Sequence, residues 1–187
     1  MFVAVAMTAE VQRQSEELQR SLTTAGVQAK WVEPDSMHIT LAFLGDLDDR
    51  EIPVLFKALR GAAKRIAPFT LQVAGVGAFP NMRRPKIAWA GIQEGSDELI
   101  KLYDTVAASL ESTDLYNRED RGYRPHLTLG RVKAEEDSAT LATAMANHAT
   151  WVGGRVPVER IALYSSVMQR SGPEYTVMGQ VDLTGKS

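Results

Sequence analysis

A tetrapeptide that occurs twice constrains this chain more than any other feature. The copies are His38-Ile39-Thr40-Leu41 and His126-Leu127-Thr128-Leu129, and they use two of the three histidines in the sequence. In a β-strand successive side chains point to opposite faces, so each copy puts His and Thr on one face and two aliphatic side chains on the other. The aliphatic faces suit a hydrophobic core. We therefore expect the two His/Thr faces to line one shared cleft.

Hydrophobic patterning predicts alternating strands and helices around the two motifs. Thr8 is expected to cap the first helix and Gly26 to end it, and Asp48 followed by Glu51 has the spacing of a capping box. The predicted strands cover residues 2–7, 27–32, 37–43, 69–76, 86–92, 124–132, 156–164 and 175–183, the helices residues 9–25, 48–66, 97–110 and 135–148, with a turn at 170–173. This order favours two lobes, each a small sheet with helices and one motif strand.

Composition is that of an ordinary globular protein, with 187 residues, 24% charged residues and a formal net charge of −2. The balanced charge argues against a long nucleic-acid footprint, so any RNA would be held locally. The chain has no cysteine, which excludes disulfides, thiolate metal sites and a cysteine nucleophile. The apolar run at residues 2–7 is too short for a membrane span or a signal peptide, so we expect a cytoplasmic protein without membrane association.

The chemistry of the paired motif suits displacement at phosphorus. Histidine has an ordinary pKa of about 6.5, so one imidazole can act as base while another acts as acid. Each motif threonine can donate a hydrogen bond to a non-bridging phosphate oxygen. The competing interpretation is that both histidines are structural strand residues, and the repetition of the motif argues against it. Sequence reasoning alone does not say which of His38 and His126 is the acid.

Other motifs give no support for a cofactor or metal. No phosphate-binding loop with a Gly-Lys-Ser/Thr end occurs, and Gly75-Val76-Gly77 lacks the further glycine of a dinucleotide site. The acidic cluster Asp46, Asp48, Asp49 and Glu51 lies where a helix is predicted to begin, which explains it through capping and the helix dipole. We therefore expect neither a cofactor nor a metal.

The chain resembles the 2H phosphoesterase superfamily, and within it the RNA 2′,3′-cyclic phosphodiesterases, also called 2′-5′ RNA ligases. The resemblance covers nearly the whole chain. The residues that carry it are Phe2-Val3-Ala4-Val5, Trp31-Val32, Met37-His38-Ile39-Thr40-Leu41-Ala42-Phe43-Leu44-Gly45, Gly77-Ala78-Phe79-Pro80, Arg83-Arg84-Pro85-Lys86, Tyr123-Arg124-Pro125-His126-Leu127-Thr128-Leu129 and Leu163-Tyr164-Ser165-Ser166.

The resemblance implies a fold, a reaction and residue roles. The implied fold is α+β, a single bilobal domain over residues 1–187 with two pseudo-symmetric lobes, each a mainly antiparallel sheet with helices, around a central cleft. The implied reaction is metal-independent hydrolysis of RNA or nucleoside 2′,3′-cyclic phosphate to a 2′-phosphate, with reversible 2′-5′ ligation as its counterpart. His38 then corresponds to the proton donor and His126 to the proton acceptor, beside Thr40 and Thr128. Partners would be RNA 2′,3′-cyclic phosphate ends or cyclic nucleotides, bound by a monomer.

Strand alternation adds candidates for substrate binding. Arg124 shares the parity of His126 and is expected to contact the phosphate or a neighbouring nucleotide. Arg131 and Phe43 have the opposite parity, so a regular strand would turn Arg131 away from the cleft and bury Phe43 in the core. The loop carrying Arg83, Arg84 and Lys86 is a second candidate, for guiding RNA, with solvated surface as its competing explanation. His148 lacks a matching threonine and is interpreted as structural or exposed.

Two alternatives to this function stay open at the level of sequence. One is a related enzyme that acts on another cyclic phosphate, such as ADP-ribose 1″,2″-cyclic phosphate or a cyclic dinucleotide. The other is a protein that binds RNA ends without turnover. Pure binding does not need two proton-transfer groups, so the paired motif favours an enzyme.

Overall fold

Nine strands and four helices make up the computed structural model, which describes residues 1–118, 122–133, 137–169 and 172–186. In chain order they are β1 (Phe2–Ala6), α1 (Ala9–Thr24), β2 (Ala29–Trp31), β3 (His38–Phe43), α2 (Ile52–Ala63), β4 (Phe69–Phe79), β5 (Ile87–Ile92), α3 (Ser96–Glu111), β6 (Leu127–Val132), α4 (Asp137–Ala146), β7 (Val152–Val158), β8 (Arg160–Gln169) and β9 (Gly172–Asp182). Of the predictions, the start of the last helix at 135–136 and turn residues 170–171 lie outside the described residues.

The strands form two antiparallel sheets, and each sheet holds one motif. The first sheet has the strand order β3-β1-β8-β9, and the second has the order β2-β6-β5-β4-β7. The first motif lies on β3 at the edge of the first sheet. The second motif begins at His126, directly before β6 of the second sheet. The predicted α+β class and the division of the two motifs between two sheets are confirmed.

The two sheets are not successive halves of the chain. One continuous strand over residues 156–164 was the expectation, and this is wrong. β7 ends at Val158 in the second sheet, and β8 begins at Arg160 in the first. Glu159 and Arg160 are both exposed there, so two consecutive polar residues interrupt the alternation where the chain passes between the sheets.

Helix α1 shows how local signals in the sequence build the second lobe. The Thr8 hydroxyl accepts a hydrogen bond from the backbone N–H of Val11, as expected of an N-cap. From the buried face of this helix, the Gln19 amide donates to the carbonyls of Val32 and Leu129 at 2.8 and 2.9 Å. The Leu129 carbonyl also accepts from the backbone N–H of Val32, so the Gln19 amide adds a second hydrogen bond there and fixes α1 against the strand of the second motif.

A β-bulge interrupts each motif strand at the same motif position. In the β1–β3 pair, Val3 lies opposite Ala42 and Ala4 opposite Thr40, which leaves Leu41 as the extra residue. In the β5–β6 pair, Ala88 lies opposite Gly130 and Trp89 opposite Thr128, which leaves Leu129 as the extra residue. An extra residue reverses the alternation beyond it. Both strands therefore change parity after the fourth residue of their motif.

One connected hydrophobic core includes residues of both sheets, among them Val3 and Leu163 of the first sheet and Leu71 and Leu127 of the second. The motif aliphatics belong to it, and Ile39, Leu41, Leu127 and Leu129 are at most 2% exposed. Each motif strand is thus anchored by its aliphatic face. Among the described helices, none has the length and apolar character needed to cross a membrane.

Candidate active site

The motif strands present their polar faces as alternation predicts. His38, Thr40, His126 and Thr128 are all partly exposed, whereas the aliphatic residues between them are buried. Burying leucine and isoleucine side chains stabilises the fold by about 1.5–3 kcal/mol each. Turning a motif strand over would expose those side chains and bury an imidazole and a hydroxyl. The core therefore fixes the direction in which both histidines point.

Each histidine is held by the same hydrogen bond. Nδ1 of His38 lies 2.7 Å from the carbonyl oxygen of Ser36, and Nδ1 of His126 lies 2.7 Å from that of Arg124. A carbonyl only accepts, so Nδ1 carries the hydrogen in both rings. Each neutral ring then has an unprotonated Nε2 as its reactive atom. The two motifs thus deliver chemically equivalent imidazoles.

Aromatic rings fix the orientation of His38. Its ring stacks on Phe2 with centroids 4.7 Å apart and meets Tyr175 edge-on at 5.3 Å. Phe2 in turn stacks on Tyr164 at 5.1 Å. The first sheet therefore supplies an aromatic wall behind this imidazole.

A second aromatic group surrounds His126. Phe79 meets its ring edge-on with centroids 4.9 Å apart, and Trp89 lies 6.4 Å away. The Trp89 ring covers Gly77, where a Cβ atom would lie 2.2 Å from the indole. Only glycine leaves room for this ring on β4, so the sequence of β4 sets the surface beside His126.

Burial lowers the pKa of both histidines below the ordinary value of 6.5. For His38, desolvation is the main cause, the hydrogen bond to Ser36 opposes it, and the charge of His126 lowers the pKa further. For His126, desolvation outweighs the opposing hydrogen bond to Arg124. Because a charge on one imidazole disfavours a charge on the other, the pair favours states with at most one proton on the two Nε2 atoms.

A tyrosine connects the segment before His126 to the strand that carries His38. The Tyr123 hydroxyl donates to the backbone carbonyl of Thr40 at 3.1 Å. Its ring stacks on Tyr103 of α3 with centroids 3.9 Å apart and planes 5° from parallel. Burial raises the pKa of Tyr123, so its hydroxyl stays protonated and able to donate. This bond joins the two motif segments directly.

Two residues that the sequence directed away from the motif threonines lie on the same faces as those threonines. Phe43 was expected in the core, but it is 64% exposed, and that expectation is wrong. It pairs with Phe2, on the face of Thr40 and His38, because the bulge at Leu41 has reversed the parity.

Arg131 is the equivalent case in the second motif. The expectation that Arg131 faces away from the cleft depended on a regular strand, and β6 is not regular. Arg131 pairs with Ile87, and Thr128 pairs with Trp89 two residues further along β5. Cross-strand partners share a face, so Arg131 lies on the face of Thr128. No sequence signal marks the bulge; the matching spacing of Phe43 and Arg131 from their histidines is the nearest hint.

The other basic candidates differ in position. Arg124 precedes β6, so strand alternation does not fix the direction of its exposed side chain, while its carbonyl holds His126. Arg83 and Arg84 are exposed in the loop that follows Phe79, where both backbone N–H groups donate to Asn81 Oδ1. The backbone hydrogen bonds of Lys86 with Phe79 and Val132 continue the strand pairing of β5. Alternation therefore places the Lys86 side chain on the face of Ala88, opposite the face that Ile87 shares with Arg131.

The third histidine and the acidic cluster lie outside this arrangement. His148 Nε2 is 3.1 Å from the Ser21 hydroxyl of α1, in agreement with a structural role. Glu51 accepts from the backbone N–H of Asp48 at 2.7 Å, as one half of a capping box, although α2 begins only at Ile52. No group of three metal-ligating side chains was found in the described part of the chain.

Known proteins are similar to this chain in both sequence and fold. The LigT-like phosphoesterase family matches residues 5–89. An RNA 2′,3′-cyclic phosphodiesterase of Aquifex aeolicus is 34% identical over 159 residues, 85% of this chain and 84% of its own. One of Thermotoga maritima is 31% identical over 184 residues, 98% of this chain and 95% of its own.

Two crystal structures extend the comparison. A Thermus thermophilus protein superposes with a TM-score of 0.81 at 29% identity, covering 100% of this chain and 98% of its own. Escherichia coli LigT complexed with 3′-AMP superposes with a TM-score of 0.76 at 23% identity, covering 98% of this chain and 97% of its own. With near full-length similarity and both His-x-Thr motifs in place, the chain belongs to the LigT-like phosphoesterases of the 2H superfamily, together with the RNA 2′,3′-cyclic phosphodiesterases.

Proposed function

We propose that this protein hydrolyses 2′,3′-cyclic phosphates, on RNA ends or on nucleosides, to 2′-phosphates. One observation carries the proposal: two equivalent imidazoles, each with Nδ1 bonded to a carbonyl and Nε2 left for chemistry, lie at the starts of the two motif strands. The names of the relatives support the substrate class. Proton transfer by two imidazoles supplies the acid and the base, so the proposed chemistry asks for no metal.

In the proposed reaction His126 acts as base and His38 as acid. Nε2 of neutral His126 takes a proton from water as the water oxygen forms a bond to phosphorus. The bond from phosphorus to O3′ breaks, and protonated Nε2 of His38 gives its proton to O3′. The phosphate remains on O2′, and the protons return through solvent. The lowered pKa of His126 favours its neutral form at pH 7, as a base requires.

His38 must hold a proton although burial lowers its pKa. A bound phosphate diester carries a negative charge, which favours an imidazolium beside it and raises that pKa in the complex. The substrate therefore helps to charge its own acid. This predicts that the pH profile of kcat lies at higher pH than that of kcat/KM, because kcat reports the complex and kcat/KM the free enzyme.

The threonines and basic residues supply contacts to the phosphate and to RNA in this proposal. Thr40 and Thr128 donate to the non-bridging oxygens as charge develops there. Arg124 contacts the phosphate or the neighbouring nucleotide. Arg83 and Arg84, in the loop that follows Phe79, guide an RNA strand toward His126, whose ring Phe79 contacts, while Lys86 on the opposite face of β5 has no part in this role.

The same site can serve ligation. If a 5′-hydroxyl of RNA takes the place of water at His126, attack on the cyclic phosphate forms a 2′-5′ bond, and the reverse reaction cleaves it. We also propose that residues 1–187 act as one bilobal domain and as a monomer. Both motifs come from a single chain and share one core, which supports this.

The test is incubation with 2′,3′-cyclic AMP in the presence of a chelator, followed by identification of the monophosphate isomer. The expected product is the 2′-phosphate. His38→Ala and His126→Ala are each expected to lower kcat by about 10²–10⁴-fold. His148→Ala is the matched control, because this histidine bonds to α1 and not to the motif strands, and it should retain wild-type activity.

Three results would contradict the proposal. A 3′-phosphate product would reverse the assigned leaving group. Turnover that survives in both motif variants would remove the imidazoles from the mechanism. An unchanged substrate with wild-type protein, also when oligonucleotides with a 2′,3′-cyclic end are supplied, would favour binding without catalysis.

A further inference from the structure

Helix α2 is the one described helix with an excess of positive charge. Residues 52–66 contain Lys57, Arg60, Lys64 and Arg65 and no acidic residue, whereas acidic residues outnumber basic ones in each of the other described helices. Lys57, Arg60 and Lys64 are exposed and, with the spacing i, i+3 and i+7, share one face of α2. None of these three forms an ion pair within the part of the chain that the structure describes. This face can therefore attract an anion from solution.

Two of these cations line a groove between α2 and the edge strand β9. Arg60 Cζ lies 6.0 Å from the ring centroid of Phe56, and a Cβ atom on Gly179 of β9 would lie 2.5 Å from Phe56 Cζ. The glycine thus lets α2 pack closely on β9, which holds Arg60 beside the strand. The groove has a volume of about 260 Å³ and is lined by Arg60, Lys64, Gln180, Val181, Asp182 and Thr184.

The one carboxylate among these lining residues is already paired. Asp182 lies 3.3 Å from Arg160, and Arg160 Nη1 donates to Gln180 Oε1 at 3.4 Å. The groove therefore keeps the positive charges of Arg60 and Lys64, beside the amide of Gln180 and the hydroxyl of Thr184 as neutral donors. Charged and neutral donors in this combination suit the oxygens of phosphate groups.

Strand β9 connects this groove to the proposed active site. Tyr175, near the beginning of β9, meets the His38 ring edge-on with centroids 5.3 Å apart, and Gln180 follows five residues later. At about 3.3 Å per residue, these two positions on β9 are roughly 16 Å apart. β9 is the edge strand of the first sheet, and residues 176–178 between them are exposed. A polymer that extends from His38 can therefore follow this exposed edge to the groove.

We infer that the groove between α2 and β9 binds the phosphodiester backbone of an RNA whose 2′,3′-cyclic end occupies the active site. The inference rests on the proposed function and adds a second point of contact for the polymer. RNA is favoured over an acidic protein segment because one exposed strand leads from His38 to the groove, and each further nucleotide of the proposed substrate brings a phosphate. A mononucleotide is too short to reach from His38 to the groove. The affinity of the enzyme for cyclic ends therefore increases with the length of the RNA.

The experiment compares the double variant Arg60→Gln/Lys64→Gln with wild type on three substrates: 2′,3′-cyclic AMP, a dinucleotide with a 2′,3′-cyclic end, and an octanucleotide with the same end. The first two are too short to fill the groove and should show wild-type kinetics. For the octanucleotide, KM is expected to rise about 2–30-fold, as for the loss of two exposed ion pairs. The slope of log KM against log salt should decrease by about 1.4, because each lost contact to a single strand accounts for about 0.7.

Arg13→Gln/Arg20→Gln is the matched control. It removes the same charge from α1, where both arginines are exposed and paired with glutamates of their own helix, and all three substrates should behave as with wild type. An equal rise in KM for all substrates with Arg60→Gln/Lys64→Gln, or no rise for the octanucleotide, would overturn the inference.

Competition separates RNA from an acidic protein as the occupant of the groove. An octanucleotide without a cyclic end should inhibit octanucleotide cleavage by wild type more strongly than poly-L-glutamate of equal charge. Stronger inhibition by poly-L-glutamate, lost in the double variant, would overturn the inference in favour of an acidic protein segment. Failure of the proposed function has a different signature, because wild type itself would then leave 2′,3′-cyclic AMP uncleaved.

Discussion

The hydrogen bond from Tyr123 to Thr40 allows a sharp test of how the two motif segments are held together. Tyr123→Phe removes one hydroxyl and keeps the ring, so the 3.9 Å stack on Tyr103 is retained. The Thr40 carbonyl loses its donor from the segment that carries His126. The substitution therefore changes one contact between the motifs and leaves the histidines and threonines intact.

The size of the effect follows from the bond that is lost. A neutral hydrogen bond of this kind contributes about 0.5–1.5 kcal/mol to the free energy of unfolding. If that energy also holds the two imidazoles in register at the transition state, losing about 1 kcal/mol there lowers kcat about fivefold. KM for 2′,3′-cyclic AMP should change little, because the contact acts on the position of the acid and base.

Tyr116→Phe is the matched control. Tyr116 is buried near Tyr103, so loss of its hydroxyl perturbs the same aromatic cluster without touching β3. The assay is steady-state kinetics well below the thermal midpoints, with chemical denaturation in parallel. Equal losses of kcat in the two variants, or a less stable Tyr123→Phe with wild-type kcat, would refute the positioning role.

Three further outcomes are expected. Because the folded-state pKa values of His38 and His126 lie below the unfolded value of 6.5, their contribution to the free energy of unfolding is complete above pH 6.5 and is lost as pH falls through the lowered pKa values. Chemical denaturation between pH 7.5 and 5 should therefore show a loss of stability that is smaller in the double variant His38→Gln/His126→Gln than in wild type. An equal loss in both proteins would contradict this prediction. Phe43→Ala should weaken nucleotide binding by about 1–3 kcal/mol, since its exposed ring lies on the face of β3 that carries His38, where a nucleobase can stack on it, whereas Val54→Ala on α2 should not; isothermal titration with 2′-AMP measures both. Gly77→Ala should destabilise the fold by about 1–3 kcal/mol and lower activity, because its Cβ would displace Trp89 from beside His126; wild-type values in thermal unfolding and kinetics would count against this interpretation.

Capping and strand alternation correctly predicted the features that depend only on neighbouring residues in the chain. Thr8 capping α1 and the burial of Ile39 beside a half-exposed His38 follow from side-chain chemistry and alternation alone. The repeated tetrapeptide also predicts that the two histidines belong to different sheets. These predictions needed no knowledge of which strands pair.

The features that the sequence did not predict depend on how the strands pair and connect. Phe43 and Arg131 were misjudged because alternation was continued through Leu41 and Leu129, and a bulge is a property of two strands together. The break at Glu159 was missed because crossing between sheets depends on tertiary topology. Arg124 was placed by strand parity although β6 starts only at Leu127, so its direction stays a prediction.

The paired bulges matter for anyone who would graft this chemistry onto another scaffold. Copying the tetrapeptide into a regular sheet would transfer an imidazole and a hydroxyl, but it would send the equivalent of Arg131 to the buried side. Deleting Leu129 from the native strand would instead remove the bulge and leave Arg131 on the face of Thr128, with the loss of one buried leucine side chain. The portable unit is thus a six-residue strand that includes its irregularity, with a neighbouring strand to accommodate it.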